Sequence, residues 1–341
     1  MGKQAKNSYS FINLIAVVAC FGVIVVILSV LLANFMFEKS VGEDSSDVSE
    51  QTERSSEASS DTSEPFGDTS EESLPAETSG EEPKPVLKYD TVKVPYSDIH
   101  KGDLIVVNNE QKFDFANTPK LMKFSNYSEY TSKVFKLRDL ELQISFDVLP
   151  SLNSMMAALN SYTGSNALTV TYGFRSESDQ AERYSSGKDS DMAGGSDLNT
   201  GLSFMCTVYP AEEGSLSDGK FTWLAENCSK YGFILRYPNG RKSLTLHDGS
   251  DSLFRYVGRP HAFLMKLNNQ CLEEYIDFCK RFTYDNYYSI NSEGKRYYIY
   301  YVKANTSGDT EIKVPENCDY TISGDNSEGF IVTVMAGLVN D

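Results

Sequence analysis

Residues able to do covalent or metal chemistry are few in this chain. It has three histidines, His100, His247 and His261. His247 can be drawn with Asp248 and Asp251 as a metal cluster, since imidazole and carboxylate are zinc donors. A polar turn after a strand accounts for that run more simply. Ser250 has no identified base, and a serine hydroxyl without one is a poor nucleophile. Arg175 lies in the run Tyr172-Gly173-Phe174-Arg175-Ser176. A guanidinium there suits a carboxylate, which it grips with two parallel bonds; the alternative is a role in folding alone. Apart from Cys20, the cysteines are Cys206, Cys228, Cys271, Cys279 and Cys318, with no metal spacing. An odd number leaves at least one thiol free, and small buried residues are the expected role for most.

Several elements must position these groups. Leu152, Met155, Met156 and Leu159 follow helical spacing up to Gly164. A strand over 167–174 then delivers Arg175 at its end, and 176–184 suits a short helix. Strands are predicted over 104–108, 201–209, 233–236, 244–246 and 254–257. A helix over 221–231 is closed by Gly232, which fits the left-handed position after a helix end. A long helix runs over 261–282. Segregated helices and strands of this kind define an α+β fold.

Four motifs fix a resemblance. The first is Tyr172-Gly173-Phe174-Arg175-Ser176 with Gln180. The second is Gly194-Gly195-Ser196-Asp197-Leu198-Asn199-Thr200-Gly201-Leu202-Ser203-Phe204-Met205. The third is Trp223-Leu224 followed by Tyr231-Gly232-Phe233-Ile234-Leu235-Arg236-Tyr237-Pro238. The fourth is Ser250-Asp251-Ser252-Leu253-Phe254-Arg255-Tyr256-Val257-Gly258. In order and spacing, over residues 95–275, they resemble the D-alanyl-D-alanine carboxypeptidases of the vancomycin-resistance type. The resemblance implies an α+β fold, with an antiparallel sheet and flanking helices.

The departures from that family bear on function. Leu198 and Leu253 stand where the resemblance places two metal-binding histidines. Met205 stands at the metal-binding aspartate, and Ser250 at the catalytic glutamate. A catalytic zinc site needs three nitrogen, oxygen or thiolate ligands and an open position for water. The metal acidifies that water and a carboxylate takes its proton. Leucine offers no donor, and a thioether suits soft metals. If the family fold is kept, Leu198, Met205 and Leu253 converge where the ion would sit, each worth roughly 1.5 to 3 kcal/mol when buried. No metal and no other cofactor is expected.

The rest of the chain has a different character. Residues 1–10 carry Lys3 and Lys6, and 11–37 is apolar without a charged residue. That run is long enough to cross a bilayer, and the lysines before it place the N-terminus in the cytoplasm. Residues 38–88 hold fifteen Asp or Glu against four Lys or Arg, a net −11 of the chain's −17. This acidic Ser/Thr/Glu-rich linker cannot bury enough apolar surface to order itself. Such acidity argues against nucleic-acid binding, which wants a basic footprint. The family-like domain is expected over 89–282, followed by a β-rich C-terminal extension over 283–341. Strands are predicted there at 296–302, 320–323 and 330–334. The extension is read either as a small appendage, the preferred reading, or as extra strands on the core.

Together these features predict an extracytoplasmic, single-pass, membrane-anchored pseudoenzyme. It would bind a peptidoglycan stem peptide or a cell-wall enzyme without hydrolysing anything. The candidate ligand-binding residues are Arg175, Gln180, Ser196, Asp197 and Arg255, with a structural ion pair as the favoured role of Arg255. The alternatives are an active carboxypeptidase with atypical ligands and a purely structural envelope scaffold.

Overall fold

A computed structural model of the chain describes residues 87–126 and 132–338. The expected membrane anchor at 11–37 and nearly all of the acidic linker lie outside the described residues. Among the described residues, no helix is long and apolar enough to cross a membrane.

The central sheet has five strands in the order β3-β5-β6-β8-β7. These are β3 (Lys136–Leu137), β5 (Leu168–Tyr172), β6 (Ser203–Val208), β7 (Phe233–Leu235) and β8 (Leu253–Tyr256). All pairs are antiparallel except β3 with β5. Helix α1 (Leu149–Thr163) covers one face. Its Leu152, Met155, Met156 and Leu159 are buried with Val170, Phe204 and Phe254 of the sheet. Gly164 ends the helix at φ 65, where its N–H bonds the Asn160 carbonyl. Two further strands, β2 (Leu121–Lys123) and β4 (Gln143–Ser145), form a separate antiparallel pair.

Ser176 caps α2 (Glu177–Ser185) by accepting from the Asp179 N–H, as its side chain and position dictate. Arg175 is thereby pinned between the end of β5 and a capped helix. The predicted helix at 221–231 is one short α-helix, α3 (Trp223–Asn227), between two 3-10 turns. Gly232 follows at φ 82.

Three predicted elements differ. Residues 104–108 form no strand, although Leu104, Ile105, Val106 and Val107 are buried. The carbonyls of Asp103 and Ile105 accept from Arg255, and the Val106 carbonyl from Asn326. Side chains therefore take the place of a neighbouring strand. Residues 244–246 are not a strand either. They belong to the helical turn α4 (Lys242–Thr245) and its left-handed end at Leu246, φ 62. Leu244 and Leu246 are exposed and Thr245 between them is buried, the reverse of what their apolar alternation implies. The long helix is two, α5 (Arg259–Leu267) and α6 (Leu272–Cys279), broken at Asn269 with φ 49.

The tail forms an antiparallel sheet ordered β12-β13-β10-β9. Its strands are β9 (Tyr288–Ser292), β10 (Lys295–Lys303), β12 (Asp319–Gly324) and β13 (Gly329–Leu338). Ile299 and Ile331 share a core with Leu264, Leu272, Tyr275 and Ile276. β11 (Thr310–Pro315) pairs with β1 (Tyr89–Val94). Of the two readings of the tail, strands laid on the core describe the observed packing. The five cysteines outside 11–37 are free thiols; Cys318 is half-buried and the other four are buried.

Candidate functional site

Strand register brings the departing residues together. Met205 on β6 lies opposite Leu253 on β8 and, on its other side, opposite Tyr172 on β5. A 3-10 turn, Asp197–Thr200, adds Leu198. Leu198, Leu253 and Tyr237 are buried as one apolar cluster, with Met205 and Tyr172 packed against it. The expected convergence is observed, and two tyrosines join it. Tyr237 belongs to the third motif, Tyr172 to the first; neither motif marks its tyrosine as facing this point. Ser250 sits at the edge, its N–H donating to the Tyr237 carbonyl at 2.8 Å and its Oγ facing Ser252 Oγ at 3.0 Å. This set does not fit zinc. It presents aliphatic side chains, a thioether and phenols where three hard or borderline donors are required. Among the described residues no group of three or more His, Cys, Asp or Glu is placed to hold an ion.

Arg175 is held beside this cluster. Its backbone N–H donates to the Leu198 carbonyl at 3.2 Å, and Asn199 Nδ2 donates to its carbonyl at 2.9 Å. The guanidinium pairs with Asp189, donates to Gln180 Oε1 at 3.1 Å, and lies over the Tyr172 ring at 4.8 Å. Burial pulls its pKa down, against Asp189, which opposes the shift. Among the described residues its Nε has no hydrogen-bond partner. Gln180 is wholly buried and donates to the Asp191 carbonyl at 2.7 Å. Ser196 is also buried and caps the 3-10 turn, its N–H donating to Asn199 Oδ1.

Asp197 and Arg255, both candidate ligand-binding residues, lie in a buried ion network. Asp197 accepts from Arg255 Nη1 at 2.7 Å and Arg236 Nε at 3.0 Å, and from the Ser203 hydroxyl. Arg236 in turn forms a two-pronged pair with Glu273 at 2.7 and 3.1 Å. Burial alone would push the Asp197 carboxyl up, but the Arg255 and Arg236 guanidiniums outweigh it and hold it low. Neither residue offers a free surface to a ligand, because the side chains of Asp197, Arg236 and Arg255 are fully enclosed. The favoured ion-pair role of Arg255 is the one observed. Sequence reasoning missed Arg236 and Glu273 as further members of the network, although Arg236 stands inside the third motif.

His247 is not a metal ligand with Asp248 and Asp251, nor a base for Ser250. Its ring stacks on Tyr237 at 4.2 Å, and Nε2 meets Asp191 Oδ1 at 2.9 Å while Nδ1 meets the Thr245 carbonyl at 2.8 Å. Two acceptors flanking one imidazole favour the doubly protonated form. Burial lowers its pKa, but Asp191 and the Thr245 carbonyl raise it further, so the net shift is upward. The stabilisation is therefore fully present below the unfolded value of about 6.5 and is lost as pH rises through the folded value. The unfolding midpoint of wild type over His247→Gln is expected to be higher at pH 5.5 and to converge above the folded pKa. A constant difference across that range would contradict this assignment.

No family model matches the chain. A D-alanyl-D-alanine carboxypeptidase of Enterococcus faecium is 31% identical over 249 residues, covering 70% of this chain and 77% of that protein. The bifunctional D-Ala-D-Ala dipeptidase and carboxypeptidase VanXYC of Enterococcus gallinarum is 44% identical over 48 residues, 14% of this chain and 25% of that one. Among solved structures, the vancomycin-resistance D,D-dipeptidase VanXYg, in complex with a D-Ala-D-Ala phosphinate analogue, superposes with TM-score 0.63. It is 27% identical, and the match covers 73% of this chain and 99% of that one. The fold thus defines a carboxypeptidase-like scaffold of the α+β class. The chain belongs to the D-alanyl-D-alanine carboxypeptidase family.

Proposed function

We propose that this chain is a catalytically silent carboxypeptidase-like module. It is tethered through 11–37 with its folded part outside the cytoplasm, and it binds a peptidoglycan stem peptide or a wall enzyme without hydrolysis. The observation that carries this reading is the packing of Leu198, Met205 and Leu253 with Tyr172 and Tyr237. Side chains that supply no zinc ligand set fill the point where water activation needs a metal. The ligand class rests on the relatives, one of which is a D-alanyl-D-alanine carboxypeptidase by name, and on Arg175 beside the cluster.

Arg175→Lys keeps a charge facing Asp189 but loses the planar fork that grips a carboxylate. Binding of a short peptide ending in D-alanine is expected to weaken about tenfold, or 1.4 kcal/mol, with the unfolding midpoint nearly unchanged. Calorimetric titration alongside thermal unfolding checks both. The engagement of Arg175 by Asp189 and Gln180 favours a second reading, a scaffold whose site is closed. A fall in stability without any peptide binding in wild type would select that second reading.

A further inference from the structure

The fully enclosed guanidiniums of Arg236 and Arg255 share Asp197, and Arg236 also holds Glu273. Half-buried Arg241 has Glu274. One place breaks this matching. Arg138, Arg175 and Arg183 all lie over the ring of Tyr172, at 5.2, 4.8 and 5.2 Å from its centre. Asp189 is the one carboxylate paired with any of them among the described residues. It meets Arg175 closely and Arg183 Nε only at 3.9 Å. Three guanidiniums against one carboxylate leave two positive charges unmatched, in a chain of net charge −17. Neighbouring acids are turned elsewhere: Asp139 accepts from the Glu141 N–H, and Asp191 meets His247.

Three elements deliver the set. Tyr172 ends β5, and Arg138 directly follows β3, the parallel neighbour of β5. Arg183 lies on α2 three residues after the buried Gln180, hence on the same face. Arg138 Nη1 donates to the Tyr172 hydroxyl at 2.9 Å. That bond, with Arg183 beside it, outweighs burial and holds the phenol below its ordinary pKa. The hydroxyl therefore marks a point where negative charge is favoured. Nε of Arg175 and Nε of Arg183 are enclosed without a hydrogen-bond partner among the described residues. Crowded like charges and unused donors both cost stability, so packing does not account for the set.

The geometry narrows the ligand. Arg175 is engaged by Asp189 and Gln180 and contributes mainly charge. Arg138 is exposed, and Tyr172 and Arg183 are half-buried, so the set borders solvent. Arg138 and Arg183 both approach one oxygen, the Tyr172 hydroxyl. Two ligand charges therefore have to sit on one small group. A phosphoryl group does this: near neutrality it carries close to two negative charges on three acceptor oxygens, and arginine forks match it. The carboxylates of a dicarboxylic acid are held apart by the carbon chain between them.

We propose that Arg138, Arg183 and the Tyr172 hydroxyl form a binding site for a phosphate monoester, with Arg175 supplying a third positive charge close by. The inference goes beyond the function proposed above and does not rest on it, because the site needs no peptide terminus.

The test is calorimetric titration of the full chain with inorganic phosphate at low ionic strength and about pH 8, where phosphate is a dianion. Succinate is run alongside. Phosphate is expected to bind saturably with Kd of about 1 mM or tighter, and succinate about tenfold more weakly. Arg138→Gln and Arg183→Gln are each expected to weaken phosphate about tenfold. Neither is expected to lower the unfolding midpoint, since each relieves like-charge crowding. Absorbance titration adds a readout that a packing role would not move. One phenol, missing from Tyr172→Phe, is expected to ionise below the others and to shift upward when phosphate is present. No saturable phosphate binding, binding unaltered in both arginine variants, succinate binding as tightly as phosphate, or a Tyr172 titration that phosphate leaves unmoved would overturn the proposal.

Discussion

Asp197→Asn is expected to destabilise the folded part by about 3 to 5 kcal/mol, the usual consequence of removing one partner from a buried ion network. Asp197 is the shared carboxylate of two guanidiniums whose side chains are fully enclosed. Without it, Arg236 keeps Glu273, but Arg255 keeps only the carbonyls of Asp103, Ile105 and Tyr256. A charge that loses its one hydrogen-bonded carboxylate in a dry interior is poorly compensated. Leu198 is the next residue, so the same loss loosens the turn that feeds the apolar cluster. Urea unfolding of wild type and variant measures the difference directly. A change below about 1 kcal/mol would place Asp197 among ordinary surface ion pairs and would contradict the enclosed network.

Restoring donors should reverse the site's character. The combined variant Leu198→His, Met205→Asp, Ser250→Glu and Leu253→His is expected to bind one zinc per chain with Kd of about 1 μM or tighter, some 8 kcal/mol. The reason is geometric: β6 and β8 already hold positions 205 and 253 opposite each other, with 198 packed against them. Leu253→His alone is expected to bind no zinc, because one imidazole among apolar side chains cannot hold the ion and is itself costly to bury. Peptidase activity is expected to lag behind metal binding. Tyr172 and Tyr237 crowd the cluster, and the groups that should orient restored ligands now serve other contacts, His247 with Asp191 among them. A combined variant that folds normally and binds no zinc would show that the scaffold around the site has drifted as well.

Much of this site was legible in the sequence because its frame is built from short motifs with fixed backbone roles. Gly232 ends a helical turn at φ 82, and Ser176 caps α2; both follow from one residue and its position. The convergence of Leu198, Met205 and Leu253 followed from their places in those motifs. The ion network was less legible. Asp197, Arg236, Arg255 and Glu273 are spread over 77 residues, and charge at such separation carries no periodic signal. Asp197 therefore resembled a ligand-binding residue, whereas its full burial depends on which segments pack over it. The strand expected at 104–108 failed for a related reason: its apolar run marks burial, but its backbone partners are Arg255 and Asn326, far away in sequence. The break at Asn269 was hidden because α5 and α6 are both amphipathic and lie end to end in sequence.

The most direct measurement is the zinc content of the purified, unaltered chain, taken together with D-alanine release from a wall pentapeptide. The refilled cluster predicts no stoichiometric zinc after incubation with the metal and removal of excess, and no release above the peptide's own background. One tightly held zinc per chain, or turnover that a chelator stops and zinc restores, would contradict it.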